Sequence, residues 1–332
     1  MPPLYVIQQG AKLRIENNRL VVEQESEALV TVPLGHVSEV VLFGNIGLTT
    51  PAIGALLNQN VDVVFLKQDG TFRGRLSGGI TPHVPIRRAQ YRCLDDPDFV
   101  LAMAKGFVDA KLNHQKALLQ RHNRQRQNAE IAACIAQLND ALQNVPRKTQ
   151  VSSLLGVEGS ASRAYFRGFR QLFGSEWKFE KRVRRPPTDP VNVLLSFGYT
   201  LLTGLANSAV QAAGLDPYAG FLHEIVYNRP AMGLDLVEEF RPVADGIVLW
   251  CCHSGQVTPA DFSPGPPERP VVLGEEGQRR FLQAFEQRME NRFTYPLRGV
   301  KLTMRQCIFE QARQIADRVL QGNPGYQGMG FR

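Results

Sequence analysis

Between Val191 and Leu215 the chain runs for twenty-five residues without a charged side chain. A segment of that length and character either crosses a bilayer or sits at the centre of a folded body. Asn192, Ser196, Tyr199 and Thr203 decide between the two. Spaced four, three and four apart, they fall on one side of a helix that is otherwise apolar. A polar stripe of this kind suits a central helix enclosed by protein, with one side turned toward something polar. A helical hairpin in lipid would carry the same stripe, but the chain has no second apolar segment of this length to pair with it. The expectation is a buried helix and no membrane association.

Residues 1–80 read differently. Short runs of β-type alternation occupy Tyr5 to Gln8, Leu13 to Ile15, Leu20 to Val22, Leu29 to Val32, Glu39 to Phe43, Val61 to Leu66 and Phe72 to Leu76. Asn17-Asn18 and Asp69-Gly70 lie between runs and suit tight hairpins. One helix, Thr50 to Asn58, interrupts the strands. The predicted fold class is α+β: an N-terminal β-sandwich-like domain over 1–80, which packs, dimerises or orients the rest, then a linker over 81–96 and a larger all-α domain over 97–332, where catalysis is expected. The linker assignment rests on GGITPHVPIRRAQYRC, whose prolines and glycines suit an extended segment. Beyond it the pattern is helical from Asp98 to about Asn144, with Phe99, Met103 and Phe107 inside and Lys105, Lys111, Lys116, Arg121, Arg124 and Arg126 outside. Further helices are expected near Gly277 to Glu290 and Leu302 to Leu320. The tail GNPGYQGMGFR reads as flexible and available to a partner.

Two places carry chemistry. In the helix expected over Ser152 to Phe173, Leu154, Ala161, Tyr165, Phe169 and Leu172 form an apolar stripe with Glu158 in its middle. An unpaired buried carboxylate costs several kcal/mol. Glu158 must therefore be protonated, matched by a cation or bound to a metal ion. Arg163, Arg167 and Arg170 lie on the opposite face and cannot reach it, so the partner comes from elsewhere in the fold, whether a distant lysine or arginine or a metal. The second place is GFLHEIVYNRPAMGLDLVEEFRP, from Gly220 to Pro242. A short helix over Leu234 to Phe240 sets Leu236, Val237 and Phe240 on one side and Asp235, Glu238 and Glu239 on the other, and Pro242 is expected to end it. Taken alone, that segment is a solvated acidic face near a satisfied histidine.

Together with Glu158, however, His223 and Glu238 make two carboxylates and one imidazole. Such a set suits Mn²⁺ or Mg²⁺ better than Zn²⁺, which takes more nitrogen or sulfur. A net charge of +7 points to a polyanion, nucleic acid or an anionic membrane surface. With the metal set, a phosphodiester is the natural substrate. The loop KFEKRVRRPP, from Lys178 to Pro187, either grips a nucleic-acid backbone, through Arg182, Arg184 and Arg185, or is merely exposed. The five cysteines are odd in number and lack the spacing of a zinc site. Reduced thiols in a cytoplasm follow, in keeping with a start, MPPLYVIQQG, that lacks a signal-peptide pattern.

The stretches LLGVEGSASRAYF, DPVNVLLSFGYTLL, GFLHE and LDLVEEFRP, in that order and spacing, resemble the CRISPR-associated integrase family, the larger of the two universal spacer-acquisition proteins. The resemblance spans nearly the whole chain. It implies that Glu158, His223 and Glu238 are metal ligands, with Asp235 as a nearby second acid. It also implies a prokaryotic cytoplasmic homodimer joined through β-domains and bridged to a second one by a dimer of a small ferredoxin-like adaptation protein, giving a heterohexamer. The implied activity inserts short double-stranded DNA fragments into a CRISPR array by attack of a 3′-hydroxyl. Two other readings stay open: a stand-alone metal-dependent nuclease acting on branched DNA, and a non-catalytic scaffold that holds DNA.

Overall fold

A computed structural model describes residues 2–78 and 83–330. Residues 81–82 of the expected linker and the last two of the tail lie outside the described residues. The chain forms two compact units, Met1–Ile80 and Thr81–Arg332.

The first unit is built from β1 (Leu4–Val6), β2 (Lys12–Glu16), β3 (Arg19–Gln24), β4 (Glu27–Pro33), β5 (Glu39–Phe43), β6 (Gly47–Leu48), α1 (Thr50–Asn58), β7 (Asp62–Leu66) and β8 (Phe72–Leu76). These make two four-stranded sheets, ordered β4-β3-β2-β6 and β1-β5-β7-β8. Leu13, Leu20 and Val22 of one sheet share a core with Val6, Val40, Leu42 and Val63 of the other and with Leu56 of α1. Each such side chain contributes about 1.5–3 kcal/mol of burial. Asn17 and Asn18 both take positive φ, as a two-residue hairpin requires, and Asp69 accepts the Thr71 N–H beside the positive-φ Gly70. The β6 strand has only two residues, too few to show alternation.

The second unit contains α2 (Val84–Leu94), α3 (Pro97–Arg126), α4 (Ala129–Asn144), α5 (Val151–Arg170), α6 (Pro190–Ala212), α7 (Ala231–His253), α8 (Glu275–Glu290) and α9 (Met304–Gln321). Two ribbons interrupt the expected all-α pattern, β9 (Phe262–Pro264) with β10 (Val271–Leu273) and β11 (Arg292–Tyr295) with β12 (Val300–Thr303).

The second unit corrects several expectations. Residues 84–94, read as extended linker, are helical: Pro85 sits in the first turn, where its missing N–H costs nothing, and Gln90 and Cys93 are buried. The helical run after Asp98 breaks at Gln127, which is left-handed, and Asn128 then caps α4 through Ile131 N. Pro242 does not end its helix, which continues to His253. A proline there costs about 3 kcal/mol. Burying Val243, Ile247, Val248 and Leu249 beyond it returns more, at about 1.5–3 kcal/mol each.

The uncharged segment forms α6, started by Asp189, whose carboxylate accepts the Asn192 N–H. It is the one described helix long and apolar enough to cross a membrane, and most of it is buried inside the protein. Its polar stripe meets two groups. Asn192 and Ser196 accept hydrogen bonds from Arg182 at 2.8 and 3.0 Å, and Tyr199 donates to Asp245 of α7 at 2.6 Å. Thr203 donates within its own helix, to Tyr199 O.

Tyr165 of α5 also donates to Asp245, at 2.8 Å, so this buried carboxyl ties three helices together. Burial raises the Asp245 pKa from 3.8 to about 6, against the lowering effect of the two tyrosine hydroxyls, Arg182 and Arg241. Because the folded value lies above the unfolded one, the stabilisation is complete below pH 3.8 and is lost as pH rises through about 6. The difference amounts to on the order of 3 kcal/mol. We expect Asp245→Asn to gain stability relative to the parent protein by that order between pH 4 and 7, measured by denaturant unfolding. Curves that stay parallel across the range would contradict it.

Candidate metal and active centre

Glu158 reaches the site from α5, His223 from the loop before α7, and Asp235 and Glu238 from α7. Between Glu158 and Glu238 is a residue that the sequence reading placed outside. Lys111 of α3 is 3% exposed, and its ammonium donates to Glu158 Oε1 and, at 2.5 Å, to Glu238 Oε2. The signal was present: Met103, Phe107 and Lys111 are spaced four apart on one helix face.

Glu238 also accepts from Arg241 Nε at 2.8 Å, and His223 Nε2 stands 4.0 Å from its Oε1. Burial alone would raise the Glu238 pKa, but the neighbouring Arg241 and Lys111 charges outweigh it and hold the carboxyl well below its usual range. Glu158 is half-buried, not fully enclosed, and takes a further bond from Ser162 Oγ at 2.8 Å. The cation it required is thus Lys111, the distant-lysine alternative.

Asp235 has a different task from the other acids. Its carboxylate is fully buried and accepts the backbone N–H groups of Phe221, Leu222 and His223 at 2.6, 2.9 and 3.0 Å. It also bonds His223 Nδ1 at 2.7 Å. A proton held on Nδ1 leaves the Nε2 lone pair toward Glu238. The close wrap demands glycine at 220, where a Cβ would lie 2.8 Å from Asp235 Oδ2.

The tail, expected to be flexible, is anchored beside this centre. Tyr326 and Met329 are buried; the Tyr326 hydroxyl and the Met329 N–H both donate to Glu239, which Gln311 also contacts. His114 bridges Glu239 O and Met329 O. Glycine at 328 permits the approach, since a Cβ would lie 2.2 Å from Ala110 Cβ. A composition that reads as flexible thus serves close packing.

Of the three loop arginines, Arg182 is taken into the fold, bonded to Asn192 and Ser196 and lying over the Tyr199 ring. That overturns its expected surface role. Arg184 and Arg185 are exposed.

Among the described residues, no three His, Cys, Asp or Glu side chains stand close enough in this conformation to hold a metal ion. The donor chemistry nevertheless fits one: the Lys111 ammonium already joins the Glu158 and Glu238 carboxylates, and an imidazole nitrogen stands 4.0 Å from Glu238. A hard divalent cation would replace the ammonium electrostatically. Removing one partner from a buried ion pair costs about 3–5 kcal/mol, so Lys111→Met should lower the thermal midpoint by several degrees. Millimolar Mn²⁺ should recover more of the loss than it adds to the parent protein. A midpoint indifferent to Mn²⁺ would argue against a metal site. Tyr326→Phe should cost about 1–3 kcal/mol in denaturant unfolding, the range for a buried acceptor losing its donor. No measurable change would mean that the tail does not brace α7.

A family model described as CRISPR associated protein Cas1 matches residues 4–287. The chain is 36% identical to the CRISPR-associated endonuclease Cas1 3 of Thermus thermophilus, over 99% of this chain and 97% of that one. It is 33% identical to the CRISPR-associated endonuclease Cas1 1 of Archaeoglobus fulgidus, over 96% of each. A solved casposase bound to integration product shares the fold with TM-score 0.88 and 24% identity, over 100% of this chain and 95% of that one. A chain of a Cas6-RT-Cas1–Cas2 complex has TM-score 0.85 and 25% identity, over 100% of this chain and 36% of that one.

Proposed function

The chain belongs to the Cas1 family of CRISPR-associated proteins, and from that footing we propose that it is a metal-dependent DNA enzyme that inserts short duplex fragments into a CRISPR array. The observation that carries the reading is the meeting of Glu158 and Glu238 at one positive charge, with His223 Nε2 4.0 Å from Glu238. These three residues would hold Mn²⁺ or Mg²⁺. When bound, the ion would polarise a non-bridging phosphate oxygen and stabilise the charge that develops as one oxygen displaces another.

The chain's own residues prepare for this. Asp235 fixes the His223 tautomer and braces its loop. Arg241 keeps Glu238 ionised, and its guanidinium packs over Tyr199. Exchange of one phosphodiester for another is nearly isoenergetic, so neither a nucleotide cofactor nor a covalent enzyme intermediate is required. Arg184 and Arg185, both exposed, are the remaining loop candidates for backbone contact, and the overall charge of +7 favours DNA.

Dimerisation through the first unit is supported by β4, an edge strand that exposes Leu29 and Val30. A partner protein in adaptation is supported by the Cas1–Cas2 complex among the structural relatives, and we further propose that a small adaptation protein bridges two dimers into a heterohexamer. The bacterial and archaeal relatives fit a prokaryotic cytoplasm. A second reading, hydrolysis of branched DNA with water as nucleophile, is favoured by the name endonuclease that these relatives carry.

The nucleophile separates the two. Glu158→Gln, His223→Ala and Glu238→Ala should each abolish Mn²⁺-dependent joining of a labelled duplex to supercoiled plasmid. DNA binding should stay within a few fold, since Lys and Arg contacts to phosphates supply most of the affinity. Donors ending in 3′-phosphate or a dideoxynucleotide should bind but give no joined product. Nicking that is indifferent to the donor terminus, with no label attached, would establish the hydrolytic reading instead.

A further inference from the structure

Beyond the metal-ligand turn, α7 forms one wall of a groove of about 490 Å³ shared with α3 and α8. That volume suits a small organic ligand. Its apolar side includes Val243, Gly246 and Ile247, and Trp250, 49% exposed, also borders it. Arg121 comes from α3 and Arg288 from α8. Burial and then the neighbouring Arg121 charge lower the Arg288 pKa. Neither guanidinium has an ion-pair partner among the described residues, whereas the buried Arg241 is paired with Glu238. Two convergent cations without a carboxylate call for an anion. An exposed indole over an apolar surface calls for a flat ring.

We propose that this groove binds a nucleotide unit of a single DNA strand, with its phosphate between Arg121 and Arg288 and its base against Trp250. The inference rests on the reading of the chain as a DNA enzyme only for its choice of ligand. Positions 243–250 lie 5–12 residues after Glu238, roughly 8–18 Å along the helix axis at about 1.5 Å per residue. An anionic membrane would use the two arginines but leaves the aromatic ring and the concave apolar surface without a purpose.

The test uses the full-length protein in metal-free buffer, with 5′-phosphorylated single-stranded hexathymidylate as the probe and tryptophan fluorescence as the readout. The chain has two tryptophans, and Trp177 is buried. Saturable quenching is expected, lost in Trp250→Phe, with affinity at least tenfold weaker in the double variant Arg121→Ala, Arg288→Ala. Circular dichroism melting confirms that the variants are folded. Thymidine monophosphate distinguishes a free nucleotide from a strand: equal affinity assigns the former, and tighter hexamer binding the latter. No saturable quenching at millimolar probe, unchanged affinity in the folded arginine variant, or equally strong competition by inorganic phosphate would each overturn the proposal. So would quenching by phosphatidylglycerol vesicles but not by the oligonucleotide. Strand joining with Mn²⁺, run in parallel, keeps the two questions apart. Joining without quenching removes the groove and leaves the enzyme reading intact, whereas quenching without joining does the reverse.

Discussion

The Lys111 ammonium, shared by Glu158 and Glu238, is the interaction on which the second unit depends. Those carboxylates come from α5 and α7, and the lysine from α3. Brought together without a cation, the two acids would repel each other across a medium that screens charge poorly, and each would also lose its hydration. One ammonium, itself buried, offsets part of both penalties and ties the three helices together. The same electrostatic demand can be met by a divalent ion, which links the stability of this region to the activity we propose for it.

Around that centre the structure spends its remaining polar groups on orientation. Asp235 is consumed by three backbone N–H groups and an imidazole, so it aims His223 and has little capacity left to bind anything else. Glu239, next to Glu238 in sequence, faces a different set of partners, the tail and Gln311. Adjacent acids on one helix thus serve unlike ends because successive side chains point about 100° apart. The proline at 242 is held in place by the buried residues that follow it, and α7 can carry both the turn that bears Asp235 and Glu238 and the groove further along.

Much of this was legible in the sequence. Strand periodicity and the Asn17-Asn18 and Asp69-Gly70 turns gave the β-unit, since hairpin geometry is a local property of the residues that form it. The polar stripe of α6 correctly marked a buried helix, and of the three states open to Glu158 the structure shows the one matched by a cation. The errors have a common origin. Pro242 and the residues around Pro85 were judged by backbone propensity, which packing overrides when several apolar side chains are buried. The tail was judged by its glycines, which serve equally for flexibility and for close approach. Lys111 and Arg182 were judged by charge alone, although the spacing of Lys111 from Met103 and Phe107 already placed it on the inner face.

By itself, then, the sequence determined the kinds of element, the order of the two units and the presence of an acid that had to find positive charge, because these follow from local periodicity and from the cost of burying a carboxylate. Only the tertiary structure decided which cation answers that demand, which acid orients His223 and where the tail comes to rest. Those outcomes turn on distances between segments remote in the chain, 47 residues for Lys111 and Glu158 and 127 for Lys111 and Glu238, and no local pattern encodes a contact across such a separation.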